Sequence, residues 1–81
     1  MQKNKSMLLW RCRRGMLELD LVLKKFITHN HEKLSDNELN DFLKLMELED
    51  PVLFNLLVTK TAMPDKSLER IVQSIIQSNR N

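Results

Sequence analysis

Leu19-Asp20-Leu21-Val22-Leu23-Lys24-Lys25-Phe26-Ile27 decides the fold by its spacing. Leu19, Val22, Leu23, Phe26 and Ile27 recur at i, i+3, i+4, i+7 and i+8, which is one apolar stripe of an α-helix. Glu18 and Asp20 stand near the start of the segment, the end at which a helix dipole favours carboxylates. The pattern predicts a helix over residues 16–29, and the polar run His29-Asn30-His31-Glu32-Lys33 reads as the loop that follows.

Working upstream, residues 4–13 form a first predicted helix, with Met7, Leu8, Arg11 and Cys12 on one face. Gly15, the single glycine, is the expected terminator, and Arg11, Arg13 and Arg14 gather where cations complement the dipole. Downstream, Ser35-Asp36-Asn37-Glu38 has the form of a capping box. It opens a third helix over residues 36–48, with Leu39, Phe42, Leu43 and Met46 inward. Asp50-Pro51 reads as N-cap and first residue of a fourth helix to residue 59, apolar enough at Leu53, Phe54, Leu57 and Val58 to be buried on most sides. After the connector Thr61-Ala62-Met63-Pro64-Asp65, residues 66–78 put Leu68, Ile71, Val72, Ile75 and Ile76 on a last stripe. Its β-branched residues lower helix propensity, so packing must hold it. The expectation is one all-α domain over residues 1–81, a compact bundle of about five short helices, with residues 1–3 and 79–81 loosely ordered.

Composition agrees. Eighty-one residues make one domain, too small to enclose both a core and a substrate chamber. A single glycine, two prolines and no tyrosine argue against the turns and aromatic strands of a β-rich domain. Cys12 is the only cysteine, so no internal disulfide forms, and with His29 and His31 it makes no zinc set. No apolar run reaches the roughly 18 residues of a spanning helix, and residues 1–7 lack a signal-like apolar stretch. A soluble cytoplasmic protein without membrane insertion is expected.

Catalysis has little support. His29 and His31 are too closely spaced to share a helix face and sit in a predicted loop. Cys12 reads as a small core hydrophobe despite its arginine neighbours. One glycine cannot build a phosphate-cradling loop. What stands out is Trp10-Arg11-Cys12-Arg13-Arg14-Gly15-Met16-Leu17-Glu18-Leu19-Asp20, which holds the only Trp, three arginines and two acids. Trp and Arg are frequent interface anchors, Gly15 would let a partner approach the backbone closely, and Arg14 and Glu18 could share a helix face. A purely structural reading weighs equally on spacing alone: bases finish one helix and acids begin the next.

Arg14-Gly15-Met16-Leu17-Glu18 matches the motif RGxxE, and residues 10–20 resemble the start of the SdhE (YgfY) family of small bacterial flavinylation factors. The likeness continues in Leu34-Ser35-Asp36 with Glu38 and in Asp50-Pro51-Val52-Leu53-Phe54-Asn55, and departs at Leu56, where members often carry Trp. The resemblance implies a non-enzymatic assembly factor that binds the flavoprotein subunit of succinate dehydrogenase, with fumarate reductase as a second candidate client. It would promote covalent attachment of FAD to a client histidine. FAD would belong to the client, not to this chain, and the factor would work as a monomer. Carried over by motif, Arg14, Gly15 and Glu18 are the central partner-binding residues, flanked by Trp10, Arg11, Arg13 and Asp20. Asp50, Pro51 and Phe54 match the second motif, but cap and core chemistry account for them. Two rivals are a regulatory module of the antitoxin type and a DNA-binding helix-turn-helix. The latter is disfavoured because no helix lines up several base-reading side chains.

Overall fold

The structure, a computed structural model, describes residues 5–80. Five α-helices follow in order: α1 Lys5–Arg11, α2 Leu17–Asn30, α3 Asp36–Leu45, α4 Asp50–Leu57 and α5 Glu69–Ser78, the last entered through a 3-10 turn at Lys66–Leu68. The expected start of the first helix at residue 4 lies outside the described residues, as do residues 1–3 and 81.

α2 is the axis of the bundle and packs against α1, α4 and α5. Its stripe behaves as its period requires: Leu19, Leu23, Phe26 and Ile27 are buried, and Val22 flanks them half-buried. From α3, Leu39, Phe42 and Leu45 enter the same core, with Phe26 and Phe42 stacked at 5.8 Å between ring centres. Leu8 from α1 and Cys12 just past its end close it on one side, with Leu68 from the 3-10 turn and Ile71, Val72 and Ile75 from α5 on the other. No polar or charged residue is fully buried among the described residues. Among the described residues, no helix is long and apolar enough to cross a membrane.

The capping box is present in both directions: Ser35 Oγ accepts from Glu38 N–H, and Glu38 Oε1 accepts from Ser35 N–H, each at 3.1 Å. Asn79 finishes α5, its side-chain amide donating to Val22 O at 3.2 Å and Ile75 O at 2.9 Å.

Several boundaries differ from the sequence reading. α1 ends at Arg11 and α3 at Leu45, earlier than expected, because the chain tightens into 3-10-type bonds: Glu47 N–H to Lys44 O and Leu48 N–H to Leu45 O, both 3.1 Å. α2 runs one residue past His29, which removes His29 from the loop. On α1, only Leu8 and Cys12 turn inward, while Met7 is 44% exposed and Arg11 faces solvent. α4 is not buried on most sides: Leu53, Leu56 and Leu57 pack, Phe54 is half-covered and Val52 is exposed. A short helix at the edge of a bundle this small is covered mainly by α2 and α5.

Cys12 is wholly covered, and burial pushes its thiol from 9.0 up to about 12; the Arg14 charge opposes this rise and the Asp20 charge adds to it. The unfolded chain therefore loses the thiol proton first. The stability tied to this group is complete below about pH 9 and drains away as pH climbs toward about 12. The melting temperature should fall more steeply above pH 9 in the native protein than in Cys12→Ala; parallel curves would show that burial does not hold the thiol neutral.

Candidate partner-binding site

The connector between α1 and α2 is set by what precedes and follows it. Cys12 N–H donates to Leu8 O at 3.0 Å while its side chain drops into the core, so the first helix is pinned where it ends. Gly15 does not terminate that helix. It lies beyond the end, and its φ is not positive, so no left-handed conformation demands glycine here. α2 begins only at Leu17, which leaves Arg14 outside the helix and removes the shared helical face expected for Arg14 and Glu18.

Arg14 turns inward instead of presenting its fork to solvent. Its Nη2 donates to Met46 O, and its Nη1 lies 3.4 Å from Leu48 O and 3.3 Å from Asp50 Oδ1. These carbonyls belong to the turn that joins α3 to α4, where the last turn of a helix leaves acceptors without intrahelical donors. One guanidinium thus caps the end of α3 and ties it to the first residue of α4. The two Nη1 distances are at the long end for hydrogen bonds, so attraction between charges contributes much of the Asp50 contact. Side-chain exposure of 14% for Arg14 and 29% for Asp50 places the pair under partial cover.

Asp50 consequently has a different role from the one its sequence context suggests. The N-cap of α4 is Glu49, with extended backbone and no side-chain cap, and Asp50 is already helical. Its carboxylate reaches away from its own helix to Arg14 through Oδ1 and to the Gly15 N–H through Oδ2 at 3.2 Å. Pro51 then occupies the first turn, where its missing N–H costs nothing. Phe54 is partly core, in line with its structural reading. Asp50 keeps a structural role, but not the capping role that local reasoning gave it, because Asp-Pro at a helix start looks like a cap whatever the carboxylate contacts.

With Arg14 engaged internally, the surface of the motif is made by its other members. Gly15 is exposed, and a Cβ added there would meet only Asp50 Oδ2, at 3.8 Å. Glu18 is exposed in the first turn of α2 and makes no hydrogen bond or ion pair among the described residues. Beside it on α2 stand Leu17 at 70% and Leu21 at 56% exposure. Neither was singled out in the sequence, yet the signal was there: both fall off the stripe that begins at Leu19. Trp10 is 69% exposed, with the Arg13 guanidinium 5.6 Å from its ring centre, a cation–π pair at the surface. Arg11 is exposed at the end of α1. Asp20 is not at this surface: its side chain is only 15% exposed and pairs with Lys24 Nζ at 3.0 Å.

The outward face therefore combines large apolar side chains, one carboxylate and an open stretch of backbone, which is the composition of a docking surface. Nothing comparable gathers around the histidines. His29 is exposed on α2, and the His31 ring lies against Ile27 O at 3.2 Å.

Arg14→Ala strips donors from Met46 O, Leu48 O and Asp50 together, and is expected to cost about 1–3 kcal/mol of folding stability. Gly15→Ala, with no clash to relieve, is expected to change stability by less than about 0.5 kcal/mol. Urea unfolding of both variants decides this; equal stabilities would mean that Arg14 is not a structural clamp.

The family model described as "Flavinator of succinate dehydrogenase", Sdh5, matches residues 6–79. The chain is 48% identical over 73 residues to the FAD assembly factor SdhE of Legionella pneumophila, covering 90% of this chain and 91% of that protein. It is 40% identical over 77 residues to that of Yersinia pestis, covering 95% and 88%, and 38% identical over 78 residues to that of a Serratia species, covering 96% and 89%. These matches bear out the likeness to SdhE proteins read from RGxxE and Asp-Pro-x-Leu-Phe-Asn. The chain belongs to the Sdh5 family, the flavinators of succinate dehydrogenase.

Proposed function

We propose that this protein is an FAD assembly factor for succinate dehydrogenase, which binds the flavoprotein subunit through the exposed half of its RGxxE segment and promotes covalent attachment of the flavin. The observation that carries this reading is the division of labour within the motif. Arg14 is spent on the fold and the Gly15 N–H is held by Asp50, while the open Cα side of Gly15 and the unengaged Glu18 carboxylate face outward beside Leu17 and Leu21. Membership of the Sdh5 family, the flavinators of succinate dehydrogenase, supports that enzyme's flavoprotein as the client.

On this reading, Glu18 offers a carboxylate to a donor on the client, Gly15 admits close approach of the client backbone, and the Trp10–Arg13 pair with Leu17 and Leu21 contributes apolar contact. The bond to flavin is made by the client's own groups, and FAD stays with the client. The factor needs only to bind the bonding-competent arrangement of the flavoprotein more tightly than the others. A difference of about 3 kcal/mol would favour that arrangement more than a hundredfold. A monomer suffices, and the flavoprotein of fumarate reductase is a second client to try in the same assay.

Reconstitution of apo-flavoprotein with FAD and a dicarboxylate, followed by flavin fluorescence in a denaturing gel, tests the proposal. Native protein should speed covalent labelling, and folded Gly15→Arg should abolish the gain, because a long side chain would stand where the client backbone approaches. Glu18→Ala should weaken complex formation while losing at most about 1 kcal/mol of stability from the helix start. No acceleration and no complex would overturn the reading and favour a regulatory module with another target.

A further inference from the structure

A second surface feature, a concavity, lies away from the first turn of α2. It is a trough of about 1090 Å³ between the second half of α2, the start of α3 and the exposed face of α5. Its floor is apolar but closed: Phe26 and Leu34 line it with only 2% exposure each. Its walls are long and polar, and four of them are cationic (Lys25, Lys33, Lys66 and Arg70) against two carboxylates, Glu38 and Glu69.

Lys33, Lys66 and Arg70 take part in no ion pair among the described residues. Of the two acids, Glu38 is committed to the Ser35 N–H in the capping box, and Glu69 sits in the first turn of α5. Lys66 and Arg70 stand at the N-terminal end of the α5 segment, where the dipole favours carboxylates and disfavours cations. Folding gives no reason to keep bases there. A binding partner would.

We propose that this trough receives an acidic peptide segment of the flavoprotein client, as a second contact continuous with the Glu18 face. Continuity follows from the helix: Glu18, Val22, Lys25 and His29 fall at i, i+4, i+7 and i+11, one flank of α2 about 16 Å long. A protein that docks on Glu18 reaches the trough by following that flank. The closed floor favours a peptide lying across the trough over a small molecule, since it opens no apolar pocket of the kind that buries small ligands. Arg70 can grip a carboxylate through two N–H groups, Lys33 and Lys66 act as point charges, and the Gln73 and Gln77 amides can bond peptide backbone. The proposal rests on the flavoprotein being the client.

Affinity of the apo-flavoprotein for native protein and for Lys66→Glu/Arg70→Glu, measured across a salt series, tests it. The double variant should keep its helical spectrum, bind about tenfold more weakly and lose most of the salt dependence. Lys66→Gln/Arg70→Gln should fall between, whereas Glu18→Ala should weaken binding with the native salt slope largely kept. A double variant that binds as tightly as native, with the same salt slope, overturns the trough and leaves the proposed function standing. Native protein that fails to bind the flavoprotein at all overturns both. As a direct probe, a synthetic peptide of alternating Glu and Ala should shift the amide resonances of Arg70 and Gln73 in the native protein. Shifts of those amides by FAD but not by the peptide would make the trough a nucleotide site and overturn the proposal.

Discussion

The guanidinium of Arg14 is the constraint on which the site depends. It meets Met46 O, Leu48 O and Asp50 Oδ1 at once, so the connector after α1 is fastened to the turn between α3 and α4. Asp50 completes the fastening by taking the Gly15 N–H on its other oxygen. Without this contact, residues 13–15 would be a short polar loop held only at its ends, by buried Cys12 and half-buried Met16. With it, Gly15 and the first turn of α2 have one position. Arg14 Nε remains without a hydrogen-bond partner among the described residues, a cost that offsets part of the gain. The clamp accordingly matters more for placement than for net stability.

Placement is what a docking surface requires. The Glu18 carboxylate, the Gly15 backbone and the exposed Leu17 and Leu21 can act as one epitope only if their spacing is held before the partner arrives, because ordering them on binding would subtract from affinity. The core supplies that rigidity from beneath. Leu19 and Leu23 anchor the inner side of the helix that carries Glu18, and Cys12 anchors the chain just before Arg14. A protein with so little interior could act on a much larger client in this way, since the task proposed for it is selection among the client's conformations.

The two ends of α2 differ in character. The first turn combines apolar side chains with a carboxylate, and the second half borders a cationic trough. The cations at the start of α5 run against the helix dipole, whereas Glu38 and Glu69 accord with the dipoles of their own helices. Residues placed against local preference are better explained by an external partner than by the stability of the element that carries them.

What the sequence by itself determined was local. The stripe from Leu19 to Ile27, the capping box at Ser35 and Glu38 and the stripe of α5 depend on residues within a turn or two of one another, so period and propensity reveal them. Burial of Cys12 followed from the same logic. The family motif drew attention to one segment, but did not show how its members divide between fold and surface. That division was decided by tertiary structure alone. Arg14 and Asp50 are separated by 36 positions, and no spacing rule relates a loop arginine to a carboxylate at the start of a distant helix. An Asp before Pro is locally indistinguishable from a cap, and an Arg before Gly from a solvent-facing fork. Only the packing of α3 and α4 against α2 and α5 brings the carbonyls of Met46 and Leu48 to the connector, where their unmet acceptors draw Arg14 inward and leave Glu18 outside.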